Sequence, residues 1–147
     1  MAESAHQTIS IAASPEHCWD VVVDFPRYPE WVKDLRAVEV KSVDAEGRPE
    51  EVEFTAAAIG RSTRYTLWYD WSAAPQSLSW KLVQGDIMRA IDGTYHFAAS
   101  ESVPGGTDVQ YDLAIELVVP LAGFVKRRAE VRILMNALKA LKARAEA

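Results

Sequence analysis

Apolar and polar residues alternate along much of this chain with the two-residue period of a half-buried strand. The alternation is clearest over 108–118. There Val109, Tyr111, Leu113, Ile115 and Leu117 share one face, against Gln110, Asp112 and Glu116 on the other. That pattern predicts a strand with one side on a core. Other stretches of the same kind predict strands over 8–12, 37–43, 51–59, 63–72, 77–83 and 88–99. Tyr65, Leu67, Tyr69 and Trp71 fall in phase in one of them, Trp80 and Leu82 in the next, and Tyr95 and Phe97 in the sixth. Turn residues separate the strands: Asp44-Ala45-Glu46-Gly47, Gly60, Ala74-Pro75-Gln76 and Val103-Pro104-Gly105-Gly106-Thr107. Gly93, inside the sixth strand, marks a possible bulge.

Helical spacing appears in two places. Ser14-Pro15-Glu16 supplies a capping hydroxyl, a proline for the first helical position and an acid in the first turn. Cys18, Val21, Val22 and Phe25 then follow at i, i+3, i+4, i+7, until Pro26 and Pro29 break the helix and leave a second short helix or turn over 28–32. From 120 to 147 the chain reads as one long amphipathic helix, with Pro120 in its first turn and no glycine after Gly123. Phe124, Val131, Leu134, Met135, Leu138 and Leu141 form its apolar stripe. About 25 residues at ~1.5 Å each make a rod of roughly 37 Å, long enough to cover the concave face of a sheet. The order is strand, two helices, six strands, long helix. Tight turns between strands imply an antiparallel meander, and helices at both ends imply an α+β fold.

Arg127 stands near the centre of that stripe and Arg128 at its edge. A cation in an apolar row needs a partner. Either an internal carboxylate, with Asp92 a candidate, or an acidic group on a bound molecule would serve.

Composition narrows the classes. The chain has 147 residues, which favours one domain, and is 49% hydrophobic with a net charge of −5. Such acidity argues against a general binder of nucleic acid or of acidic membranes, although Lys126-Arg127-Arg128 is locally basic. One cysteine, Cys18, makes no internal disulfide. No secretory leader is visible, and the longest apolar run, 117–125, is too short to span a bilayer, so a cytoplasmic location is expected. His6, His17 and His96 lie far apart without a second ligand at metal spacing, so no metal is expected. Neither a phosphate loop nor a hydrolase elbow is present, and no cofactor is expected. His96 alternates out of phase with Tyr95 and Phe97 and is expected to face solvent.

The order of elements, with Ser14-Pro15-Glu16 opening the first helix and Tyr28-Pro29-Glu30-Trp31 after it, resembles the START-like (SRPBCC) superfamily. Leu82-Val83-Gln84-Gly85, Asp92-Gly93-Thr94-Tyr95-His96-Phe97 and Gly106-Thr107-Asp108-Val109-Gln110-Tyr111 strengthen the likeness. The nearest branches are the bacterial polyketide cyclase/dehydrase type and the coenzyme Q-binding, ribosome-associated toxin type. The resemblance implies a helix-grip fold: a curved seven-stranded antiparallel sheet around the C-terminal helix, with two short helices after strand 1 and an apolar cavity between sheet and helix.

That fold hosts carriers, cyclases and proteins without known ligands. The expected occupant is a small hydrophobic or amphipathic molecule of lipid, quinone or polyketide type. Its expected contacts are Tyr28, Trp31, Tyr69, Trp71, Trp80, Tyr95, Tyr111, Phe124, Arg127, Val131 and Met135. A cavity of roughly 300–1,000 Å³ is expected among them. The family's aromatase/cyclases use an arginine, a tyrosine and a tryptophan. Their positions fall near Trp71, Leu35 and Tyr28 in this chain, so two of the three roles look unfilled. The expected role is therefore carrier, sensor or chaperone. An aromatase/cyclase or dehydratase is the first alternative. A protein–protein module of the ribosome-associated type is the second, and a collapsed cavity with an exposed apolar patch would favour it.

Overall fold

The computed structural model describes residues 4–58, 61–119 and 121–147. Strand β1 (Ala5–Ile11) leads into helix α1 (Pro15–Val23) and a 3-10 helix (Phe25–Glu30). Six strands follow: β2 (Leu35–Val43), β3 (Pro49–Ala58), β4 (Arg61–Asp70), β5 (Ser77–Gly85), β6 (Met88–Ala99) and β7 (Thr107–Leu117). Helix α2 (Gly123–Glu146) ends the fold. The expected strand end at Ile59, the turn at Gly60 and the helix start at Pro120 lie outside the described residues.

All seven strands form one antiparallel sheet in the order β1-β7-β6-β5-β4-β3-β2. β2 to β7 make a meander, and β1 closes it by pairing with the last strand rather than the next. That long-range pairing runs from Ala5↔Leu113 to Ile11↔Thr107, so β1 starts earlier than its own alternation suggests. Gly47 and Gly105 carry positive φ in the turns before β3 and β7, where an L side chain would be strained.

α1 begins as its sequence requires. The Ser14 side chain accepts the His17 backbone N–H at 3.1 Å and Pro15 fills the first helical position. Cys18, Val22 and Phe25 are fully buried. The Tyr28 hydroxyl donates to the Val22 carbonyl, which pins the 3-10 helix beneath α1.

Gly93 is not at a bulge. Its register with Trp80 and Leu113 is continuous, and the β6–β7 irregularity falls between Met88 and Ala90 instead. What requires glycine here is Trp80, whose ring lies where a Cβ would stand: the nearest ring atom would be 2.2 Å away. The indole lies over a bare stretch of backbone.

α2 buries Leu134, Leu138, Leu141 and Ala145, and packs closest to β1, β7 and α1. Its end is clipped down. The Glu146 carboxylate accepts the Ala12 N–H at 2.7 Å and the Lys142 ammonium at 2.6 Å, while Arg144 pairs with Glu30 at 2.8 Å. Its start has no side-chain cap, and no acid stands in its first turn.

Candidate functional site

The concave face of the sheet is aromatic. Inward positions of β4 to β7 supply Tyr65, Leu67, Tyr69, Trp80, Ile91, Tyr95, Phe97 and Tyr111, and nearly all of these side chains are buried. Their rings touch in a row. Trp71 meets Phe25 edge-on at 6.4 Å, Phe25 meets Tyr69 at 4.6 Å, and Tyr69 meets Trp80 at 5.8 Å. Trp80 reaches Tyr95 at 5.3 Å and Tyr111 at 5.6 Å, and those two tyrosines lie 4.6 Å apart. The row runs from the rim of the sheet to its centre at the tilted and edge-on angles that aromatic pairs favour.

The hydroxyls are the unusual part. Among the described residues, those of Tyr65, Tyr69, Tyr95 and Tyr111 have no hydrogen-bond partner. Buried hydroxyls are normally paired. No fully enclosed side-chain oxygen or nitrogen lacks a partner, however, so each of these hydroxyls borders space that water could reach. Burial pushes the Tyr65 phenol up to about 12. It pushes those of Tyr69, Tyr95 and Tyr111 well above the ordinary range, and neighbouring tyrosines raise them further. They are neutral donors at any physiological pH, set within an aromatic shell. Tyr28 differs: its hydroxyl is already committed to Val22.

Of the expected contacts, Tyr69, Trp80, Tyr95 and Tyr111 come together there, with Tyr28 and Trp71 along the same row. Trp31 is half-buried against Tyr28 at 5.1 Å, and Val131 and Met135 are half-buried against the core. Phe124 is not in the interior. It is 72% exposed, because the first turn of α2 projects beyond the packed part of the helix. Arg127 does not face the interior either. Its side chain is 44% exposed, its Nε lies 3.6 Å from the Glu130 carboxylate, and its guanidinium donates to the Ser4 carbonyl at 3.2 Å.

Glu130 is therefore the internal carboxylate, and not Asp92, which is exposed and lies 4.0 Å from Lys81. Glu130 is 1% exposed and accepts the Ile115 N–H at 2.8 Å. Among the described residues the β1–β7 ladder ends at Leu113, and the carboxylate takes over where β1 stops. The signal was in the sequence: Glu130 precedes Leu134 by four and Leu138 by eight, in line with the buried stripe.

Surface clefts of about 440 and 410 Å³ open among the described residues. Both fall within the expected size range, and neither lies between sheet and α2. The larger runs over polar residues of β3 to β5, among them Glu53, Thr55, Arg64, Thr66 and Gln84. The smaller is apolar and lies at the outer end of the aromatic row, between Trp19, Val23, Pro49, Trp71 and Ala74. The Trp71 indole donates to the Pro49 carbonyl at 2.7 Å, and the Arg48 guanidinium sits 5.7 Å from its ring centre.

His96 is exposed on the convex face, as its phase requires. Its ring lies 2.9 Å from the Ser77 hydroxyl and 3.2 Å from the Asp112 carboxylate. The trio resembles a hydrolytic triad in composition only. It lies on the open side of β6, whose backbone is engaged by strands on both sides, so no N–H pair is free to stabilise an oxyanion. Cys18 is no nucleophile: burial pushes its thiol up, against the thiolate. Among the described residues, no three His, Cys, Asp or Glu side chains gather as a metal site, and no helix is long and apolar enough to cross a membrane.

Solved structures share this architecture. A START superfamily protein from Mycobacterium smegmatis superposes with a TM-score of 0.92 at 24% identity, over 99% of this chain and 98% of its own. A Thermus thermophilus protein superposes at 0.75 and 23%, over 97% and 96%. The Zhui aromatase/cyclase from Streptomyces sp. R1128 superposes at 0.77 and 17%, over 97% and 93%. No curated protein matches the sequence. The model of one family, described as polyketide cyclase / dehydrase and lipid transport, matches residues 2–146. With nearly its whole length matched and the helix-grip architecture in place, the chain belongs to the polyketide cyclase/dehydrase and lipid-transport family.

Proposed function

We propose that this protein binds a small, flat, predominantly apolar molecule with at least one oxygen acceptor, as a carrier, sensor or chaperone. The observation that carries the reading is the buried aromatic inner face on which Tyr69, Trp80, Tyr95 and Tyr111 meet, where the hydroxyls of those tyrosines make no hydrogen bond among the described residues. Apolar walls with a few convergent polar groups are the usual makeup of a small-molecule site. The rings supply contact area, and the phenols donate to a carbonyl, ether or quinone oxygen. The ligand lies along the aromatic row, with the Trp19–Trp71 cleft at its outer end.

The family's cyclase chemistry is the alternative. It needs a group that takes a proton from the substrate. The interior tyrosines are held protonated, and the Glu130 carboxylate is occupied by Ile115, Lys126 and Arg127. These facts favour binding over turnover. The exposed apolar patch that a protein-docking module would need is present as well, at the start of α2, and its surroundings are treated below.

Two probes of one shape test the proposal: 2-acetylnaphthalene, which has a carbonyl, and 2-ethylnaphthalene, which has none. Both are titrated by quenching of tryptophan fluorescence. The carbonyl probe should bind more tightly by ~0.5–1.5 kcal/mol, the net worth of a hydrogen bond. The Tyr95→Phe/Tyr111→Phe double variant should lose that preference and keep its affinity for the hydrocarbon. Equal affinities in the wild type, or an unchanged preference in the variant, would remove the tyrosines from the site.

A further inference from the structure

An overall charge of −5 speaks against acidic membranes only if charge is spread evenly, and here it is not. Between Leu117 and Ala129 there is no aspartate or glutamate, while Lys126, Arg127 and Arg128 follow one another. The same stretch carries most of the large apolar side chains left in solvent. Val119 is 70% and Phe124 72% exposed, and Val118, Leu121 and Val125 are exposed beside them. Half-buried Ile87 adjoins through the backbone bond from the Val118 N–H. On α2 the angular positions of Phe124, Arg128, Arg132 and Val125 make one solvent-facing strip of apolar and basic residues. Single exposed apolar residues are ordinary, but a contiguous apolar tip rimmed by one sign of charge marks an interaction surface.

We propose that this tip, the β7–α2 connection with the first turns of α2, docks the protein on an anionic lipid surface. The exposed apolar side chains enter the headgroup and acyl boundary, while neighbouring cations meet lipid phosphates. The charges select this occupant over a second copy of the chain, because a two-fold contact through the tip would bring two basic patches together. The inference does not depend on what the interior holds.

Sedimentation with extruded vesicles tests it. One set is pure phosphatidylcholine, and the other contains about 30% phosphatidylglycerol, enough to raise a negative surface potential. The protein should sediment with the anionic vesicles only, and about 0.5 M salt should release it. Val119→Ser/Phe124→Ser and Arg128→Glu/Arg132→Glu should each weaken binding by at least about tenfold. These side chains are exposed, so both variants should melt like the wild type. Equal binding to neutral vesicles, binding by the variants at wild-type strength, or no sedimentation of the wild type at any lipid concentration would overturn the proposal. In the last case a tip that holds an acidic protein partner would be the better account.

Discussion

Glu130 shows how one residue joins three elements. Its carboxylate takes the Ile115 N–H of β7 and faces Arg127, which in turn holds the Ser4 carbonyl beside β1. Glu130→Ala should cost ~1–3 kcal/mol in urea unfolding, because a buried N–H loses its acceptor. Arg127→Met, at a half-exposed position, should cost under about 1 kcal/mol and leave probe affinity unchanged. Gly93→Ala should destabilise by ~1–3 kcal/mol and shift the tryptophan emission, since the methyl group would occupy the space of the Trp80 ring. The sequence carried the arginine's need for a partner but not the partner's identity. A glutamate in an apolar stripe is easily passed over as a surface residue, and only the register of β1 shows that Ile115 needs an acceptor. The tyrosines were legible differently. Strand phase placed Tyr69, Tyr95 and Tyr111 on the inner face, but whether a hydroxyl finds a partner depends on neighbours far away in sequence.

The elements were largely visible from periodicity, since antiparallel strands with one wet face keep a strict two-residue alternation. β1 was visible only in its second half, because Ala5, His6 and Gln7 gain their strand from β7 rather than from a pattern of their own. α2 was visible as a helix, but its two ends are unlike. Leu134, Leu138 and Leu141 are sealed, whereas Phe124 continues the stripe past the sheet into solvent. A stripe counted from spacing cannot show where the surface beneath it ends. Leu138→Ala should therefore cost ~2–5 kcal/mol, and Phe124→Ala should be close to neutral, both read from denaturant midpoints. Deleting 121–147 should leave a protein that binds hydrophobic dye and lacks a cooperative melt. A sharp melt from that deletion would show that the helix is not part of the core.

For the whole molecule, the helix-grip architecture could be anticipated from element order, while the state of its interior could not. The inner face carries closely packed rings, and clefts open at the surface. The tyrosines give that interior a signature in alkali. The chain contains five, and burial raises the pKa of every one. Below the ordinary phenol pKa of about 10, folded and unfolded chains are equally protonated and this stability is intact. Above it the unfolded chain ionises first, so stability falls as pH rises through the Tyr65 value of about 12. Phenolate absorbance should accordingly appear in one steep step together with loss of circular dichroism. Gradual ionisation centred near about 10, with the fold intact, would mean that the phenols are already in water.

Native mass spectrometry of the protein taken gently from its own host tests the central claim most directly. The account predicts a fraction of the protein carrying one small apolar, oxygen-containing molecule, released on denaturation and depleted in the Tyr95→Phe/Tyr111→Phe variant. A bare mass in both proteins, alongside a wild type that takes up neither naphthalene probe, would contradict it.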